Sequence, residues 1–227
     1  MKARKPSGKS FFIVISVTAV LLVVAVLLFL FLPKGISDDT TVAYVNGIPV
    51  SYGEYMLVAE EKRGETAAYF YENHHVDENV DFWSKEAVFG GENPLEVHKK
   101  AVLEAVTEIK LQQQLMMEYG IVSENDITYK GFFKLFEQEN LRRRKITEQG
   151  DVIYGPEQYT ESGYYNYLHN IRLQELREAM YAESGSKDIS DKFTDALLVE
   201  RLAEMQENVQ VDTVPEVYKD IKAFSQD

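Results

Sequence analysis

Residues 41–54 read Thr41-Val42-Ala43-Tyr44-Val45-Asn46-Gly47-Ile48-Pro49-Val50-Ser51-Tyr52-Gly53-Glu54, and this stretch sets the plan of the chain. The first five residues form an apolar, β-branched run that reads as a strand. Asn46-Gly47 is the strongest short turn signal, because both residue types tolerate positive φ. Ile48-Pro49-Val50 continues extended. Ser51-x-x-Glu54 has the form of a capping box, in which Ser51 accepts from the third helical N–H and Glu54 reaches back to the cap. Strand, turn and helix start therefore follow one another directly.

Helical patterning dominates downstream. One helix is expected over about 52–63, with Tyr55, Met56, Leu57 and Val58, and a second near 65–73. A loop with His74, His75, Asp77 and Asp81 follows. Asn93-Pro94 places an N-cap and a first-turn proline. The helix expected from 94 to 119 is the clearest: Leu95, Val102, Val106, Ile109 and Met116 recur at helical spacing, and Gly120 ends it. Ser123 and Asp126 are expected to open a helix containing Phe132, Phe133, Leu135 and Phe136. Arg142, Arg143, Arg144 and Lys145 near its end suit the helix dipole and an exposed surface. Pro156 is expected to begin a helix to about 183, with Gly185 as its stop. Ser190 reads as the cap of a last helix with Phe193, Leu197, Leu198, Leu202 and Met205. Residues 209–213 alternate as a short strand. A lone strand leaves its ladder unsatisfied, so 42–45 is expected to pair with 209–213.

Upstream, Phe11 to Leu32 is uncharged, and Lys2, Arg4, Lys5 and Lys9 precede it. The length matches a spanning helix of about 20 residues, and the flanking cations place the N-terminus inside. No small-x-small cleavage pattern follows it, so an uncleaved anchor is expected. The resulting division is a cytoplasmic tail at 1–10, a transmembrane helix at 11–32 in contact with the lipid bilayer, a linker at 33–41, an extracytoplasmic helical domain at 42–214 and a C-terminal tail at 215–227.

The net charge is −13. The first 32 residues carry four cations and no acid, which leaves 20 cations against 37 acids beyond them. So acidic a domain repels phosphate backbones, and nucleic acid is not expected as a partner. The absence of cysteine excludes disulfides, thiolate metal sites and lipid attachment through cysteine. No nucleophile elbow, phosphate loop or H-E-x-x-H motif occurs, so no catalytic residue, metal or cofactor is expected. His74-His75 with Asp77 and Glu78 has metal-ligand chemistry, but adjacent residues point apart, and an exposed polar loop is the expected reading.

Aromatic residues are abundant, with 14 Tyr and 12 Phe, and they cluster. The main groups are Tyr69-Phe70-Tyr71, Phe82-Trp83, Phe132-Phe133 and Tyr164-Tyr165 with Tyr167. Neighbouring aromatics on a helix cannot all face one core. They form either the core and rim of one bundle or a surface for unfolded chains, and these ten residues are the candidate client-binding set.

The segment from Val42 to Ser51, followed by Glu54-Tyr55, resembles the opening of the SurA/PrsA-type extracytoplasmic chaperones, with their strand, V-N-G turn and helix start. Asn93-Pro94-Leu95 and the helix running from Ile109-Lys110-Leu111 to Glu118-Tyr119-Gly120-Ile121 extend the likeness. The resemblance implies a mainly α fold: a SurA/PrsA-like helical chaperone domain closed by a small terminal β pairing, here behind a single transmembrane helix. It also implies an ATP-independent holdase in the cell membrane that binds unfolded or nascent secreted or envelope proteins. Many members carry a parvulin-type prolyl isomerase domain of about 90–100 residues. Here about 70 residues separate Gly120 from Ser190, and they read as helix without the parvulin motifs, so isomerase activity is not expected. A divergent prolyl isomerase and an assembly subunit with one fixed membrane-associated partner are the alternatives.

Overall fold

A computed structural model describes residues 35–79, 81–186 and 191–224. The chain divides into two units, 1–36 and 37–227, and all the secondary structure described belongs to the second.

Strands β1 (Thr41–Val45) and β2 (Ile48–Ser51) form a hairpin. Asn46 and Gly47 adopt φ of +50° and +80°, the two positive values that a tight I′-type turn requires. Strand β3 (Val211–Thr213) pairs with the other edge of β1, giving an antiparallel sheet in the order β2-β1-β3. Asn46 locks the junction from both sides. Its N–H donates to the Gln210 carbonyl at 2.8 Å, and its Oδ1 accepts the Gln210 N–H at 3.0 Å. Val42, Ala43 and Val45 are buried, while Tyr44 on the other face is exposed. The expected pairing of 42–45 with 209–213 is thus trimmed to 43–45 with 211–213. It also gains a third strand, because the tight turn folds β2 onto the first edge of β1.

Among the described residues six helices follow: α1 (Tyr52–His74), α2 (Pro94–Glu118), α3 (Tyr129–Glu148), α4 (Glu161–Ser184), α5 (Asp191–Glu207) and the single turn α6 (Pro215–Tyr218). Helix α1 is continuous where two helices were expected. Gly64 lies on an exposed stretch with open space around it, so only its intrinsic cost of about 1 kcal/mol opposes the helix. Helix α3 starts later than expected. Thr128 caps it, its hydroxyl accepting from Gly131 N–H at 3.0 Å, while Ser123 and Asp126 close the preceding turn on each other. Helix α4 also starts later, at the Thr160 cap instead of Pro156, and residues 151–160 form a loop. Gly185 ends α4 at φ +63°. The expected cap Ser190 lies outside the described residues.

The architecture expected from the sequence is corrected at its N-terminus. No helix among the described residues is long and apolar enough to cross a membrane. The stretch read as a spanning helix, 11–32, lies outside the described residues. What the structure describes is a mainly helical domain with a small three-stranded sheet. The segment read as a tail is folded as far as residue 224. Ile221 and Ala223 are buried, Tyr218 donates its hydroxyl to the Lys99 carbonyl at 3.1 Å, and Arg63 lies 4.1 Å over the Phe224 ring.

One core cluster joins Leu115 and Met116 of α2, Leu173, Leu176 and Met180 of α4 and Leu198 of α5, together with Val122 and Ile127 from the α2–α3 connection. Beside these apolar groups, a buried charge network holds three helices together. Glu54 of α1 and Lys110 of α2 are paired at 2.7 Å, with both side chains almost completely removed from solvent. The Tyr165 hydroxyl of α4 donates to the second Glu54 oxygen at 2.9 Å. Lys110 also donates to Gln113 Oε1 at 3.0 Å and to the Ile127 carbonyl at 3.2 Å. The Ser51 cap is formed, its hydroxyl accepting from Glu54 N–H at 3.3 Å. The Glu54 side chain, however, turns inward to Lys110 and Tyr165.

Removing one partner leaves a buried charge uncompensated, which costs about 3–5 kcal/mol. Lys110→Ala is therefore expected to lower the unfolding free energy in urea by an amount in that range. Lys110→Met combined with Glu54→Gln is expected to cost less than the two single changes together. Strict additivity across that double-mutant cycle would show that the pair is not coupled.

Candidate functional site

Among the described residues, an open groove of about 710 Å³ lies between α1, α2 and α5. That volume lies within the roughly 300–1,000 Å³ of known ligand clefts. Helix α2 contributes Ala101, Glu104, Ala105, Glu108 and Leu111, all on one face at spacings of three and four. Helix α5 contributes Val199, Leu202, Ala203 and Gln206 with the same periodicity, and α1 adds Lys62 and Glu65. Alanines at three of these places keep the trough open. Adjacent residues on α5 divide the work: Leu198 is buried in the core, whereas Val199 is 65% exposed. The described lining offers aliphatic surface, carboxylates, one amine and one amide.

No family model, no curated protein and no solved structure matches this chain.

The structure separates the ten aromatic candidates into two nests. Around α1, Phe70 and Phe82 are fully buried and meet edge to face at 5.5 Å, and Trp83 packs edge-on against Phe82 at 4.8 Å. Tyr69 and Tyr71 of the same run stay exposed, Tyr69 donating its hydroxyl to Glu92 at 2.7 Å. Between α3 and α4, Phe132, Tyr164 and Tyr165 are buried, Phe133 is half-buried and Tyr167 is exposed. Phe132 meets Tyr165 edge to face at 5.2 Å. Most of the set therefore forms core and rim, and the exposed members belong to different nests. The groove residues were not singled out by the sequence reading. The signal for them was the continuous Ala196-Leu197-Leu198-Val199 run, which is apolar on more than one helix face.

The cationic run 142–145 is not uniformly exposed, as had been expected. Arg143 is buried and works as a clamp. Its Nη1 donates to the Tyr154 carbonyl at 3.1 Å and to the Pro156 carbonyl at 2.6 Å, and its Nε donates to Glu139 at 2.8 Å. The clamp fixes the α3–α4 loop, on which Val152 and Tyr154 are more than four-fifths exposed.

Of the histidines, His74 lies 3.3 Å from a Glu92 oxygen and His75 takes the left-handed cap of α1. No group of three or more His, Cys, Asp or Glu among the described residues is placed to hold a metal. His98 and His169 are interior. His98 donates through Nε2 to the Ala223 carbonyl at 2.9 Å, and burial holds its pKa below the ordinary value. His169 donates to Gln112 Oε1 at 2.6 Å. Burial first, and then the Arg172 charge, push it down to about 4. It lines a cavity of about 20 Å³ with Glu54, Gln113, Asp126, Tyr165 and Arg172, enough for about one water molecule.

The sign of the pH effect follows from these two side chains. In the unfolded chain a histidine takes up its proton near pH 6.5, whereas folded His169 does so only near 4. The unfolded state therefore binds more protons between those values, and stability falls as pH drops through that window. His98 adds to the fall in the same direction. Denaturant unfolding at pH 7, 5.5 and 4.5 is expected to show the loss, on the order of 2 kcal/mol from His169. His169→Gln is expected to flatten the profile, and an unchanged slope in that variant would remove His169 as its source.

Proposed function

We propose that the 37–227 domain is an ATP-independent holdase that binds non-native segments of secreted or envelope proteins in the groove between α1, α2 and α5. The observation that carries this reading is the groove itself: a wide trough lined by Ala101, Ala105, Leu111, Leu202, Ala203 and the exposed Val199, with carboxylates among them. A fully buried aliphatic side chain gains about 1.5–3 kcal/mol. An open trough buries it only in part, and association costs several kcal/mol. Binding is therefore weak and reversible, as a holdase requires. The strand, Asn-Gly turn and capped helix at 41–54, which resemble the start of the SurA/PrsA-type chaperones, support the same reading.

One observation favours a second reading, an assembly subunit with a single fixed partner. The Arg143 clamp presents Val152 and Tyr154 in one defined geometry, and preorganised apolar groups favour a specific contact. Crosslinking from position 154 separates the two: one dominant product supports the subunit reading, and many products support the holdase.

The holdase reading predicts that an equimolar amount of the protein slows aggregation of a chemically denatured client. Val199→Asp together with Ala203→Asp is expected to abolish most of that protection. Both positions are exposed, so the melting profile should stay within the small range of surface substitutions. Failure of the wild-type protein to slow aggregation would sink the proposal.

A further inference from the structure

We propose, building on the holdase reading, that the groove selects basic segments: polypeptide in which lysine or arginine stands beside apolar side chains. Charge is unbalanced around the apolar residues of the trough. Glu65, Glu104 and Glu108 line the trough, with Lys62 as the one cation in its described lining. Lys62 is paired with Glu65 at 2.8 Å, within α1. Glu104 and Glu108 then remain one turn apart on the same face of α2, both exposed. Lys100 stands 3.9 Å from Glu104, with both side chains more than two-thirds exposed, so solvent screens that pair. Among the described residues Glu108 accepts the neutral Gln112 amide, at 3.2 Å.

Two carboxylates four residues apart repel each other along a helix. Here they do so beside Ala101, Ala105 and Ala203, where an apolar segment would lie. A cationic side chain arriving with that segment relieves the repulsion and gains a partly desolvated partner. An acidic segment meets the opposite field. The domain's excess of 37 acids over 20 cations beyond residue 32 extends the same preference to long range and speeds the encounter. Selection thus comes from two sources that an experiment can separate: a local one at Glu104 and Glu108, and a diffuse one from the whole domain.

The test uses the full-length protein and three fluorescein-labelled peptides with identical leucine and alanine positions. They differ only in carrying lysine, glutamine or glutamate at the intervening sites. Anisotropy titrations at low salt are expected to rank lysine over glutamine over glutamate, with about tenfold between the extremes. Glu104→Gln combined with Glu108→Gln is expected to reduce that ratio to about twofold, chiefly by weakening the lysine peptide. A thermal melt checks that the variant is folded. Equal binding of all three peptides overturns the selectivity and leaves the holdase reading standing. A full lysine preference surviving in the double variant also overturns it, since the diffuse field alone would then account for the ranking. Binding of none of them overturns it as well, and the aggregation assay then decides the holdase reading separately.

Discussion

The Glu54–Lys110 ion pair is the contact on which the rest of the domain depends. It joins the first turn of α1 to the middle of α2, and through Tyr165 and the Ile127 carbonyl it reaches α4 and the α2–α3 connection. Burying two charges is costly, and their attraction offsets that cost only when the remaining hydrogen-bonding capacity is satisfied. The arrangement meets that condition. Glu54 has a cation on one oxygen and a phenol on the other, and Lys110 has a carboxylate, an amide oxygen and a carbonyl. The positive end of the α1 dipole adds support, because Glu54 lies in its first turn. Burial and the neighbouring carboxylate push the Tyr165 phenol well above its ordinary range, so it stays a donor. An apolar core of Leu, Met and Val tolerates many small rotations of one helix on another. A charge pair with fixed partners does not, and it sets the register of α1, α2 and α4.

How far the sequence revealed this depends on the range of each interaction. The Asn46-Gly47 turn, the Asn93 cap with Pro94 and the Gly185 stop are local, and all were legible from neighbouring residues. The Ser51 cap was legible too, but the role of Glu54 was not. In sequence Glu54 is the reciprocal half of a capping box, and only the fold brings Lys110 within reach. The starts of α3 and α4 were misplaced for a related reason. Ser123, Asp126 and Thr128 are all able caps, as are Pro156 and Thr160 as openers, and packing selects among them. Asn140 and Arg143 hold residues 154–159 against α3, which leaves Thr160 as the first place where α4 can begin.

The aromatic runs show the same limit on the functional side. Tyr69-Phe70-Tyr71 cannot face one way on a helix, and the reading that they present a binding surface follows from that geometry. The structure buries the middle ring and exposes its neighbours. Phe70 meets Phe82 and Phe89, residues from a segment with little regular structure. The rings there do the work that a helix would do elsewhere: they close the core over the α1–α2 connection. The groove's signature was weaker, confined to the apolar Ala196-Leu197-Leu198-Val199 run, because alanine and glutamate elsewhere on a helix read as an ordinary solvated face. Only the placement of α5 turns that face into a wall.

The groove is also tied to the polar interior. Glu108 on the rim accepts from the Gln112 amide, and Gln112 in turn accepts from His169, which lines the small cavity shared with Glu54 and Tyr165. The α2 face that meets solvent in the trough and the face that packs on α4 are thus held by one chain of hydrogen bonds. Charge guards the opening from another direction. Copies of so acidic a domain repel one another, and each rim repels the surface of the next copy. An aliphatic trough would otherwise invite self-association. On the proposed reading, the same negative field that opposes self-association favours chains of opposite sign.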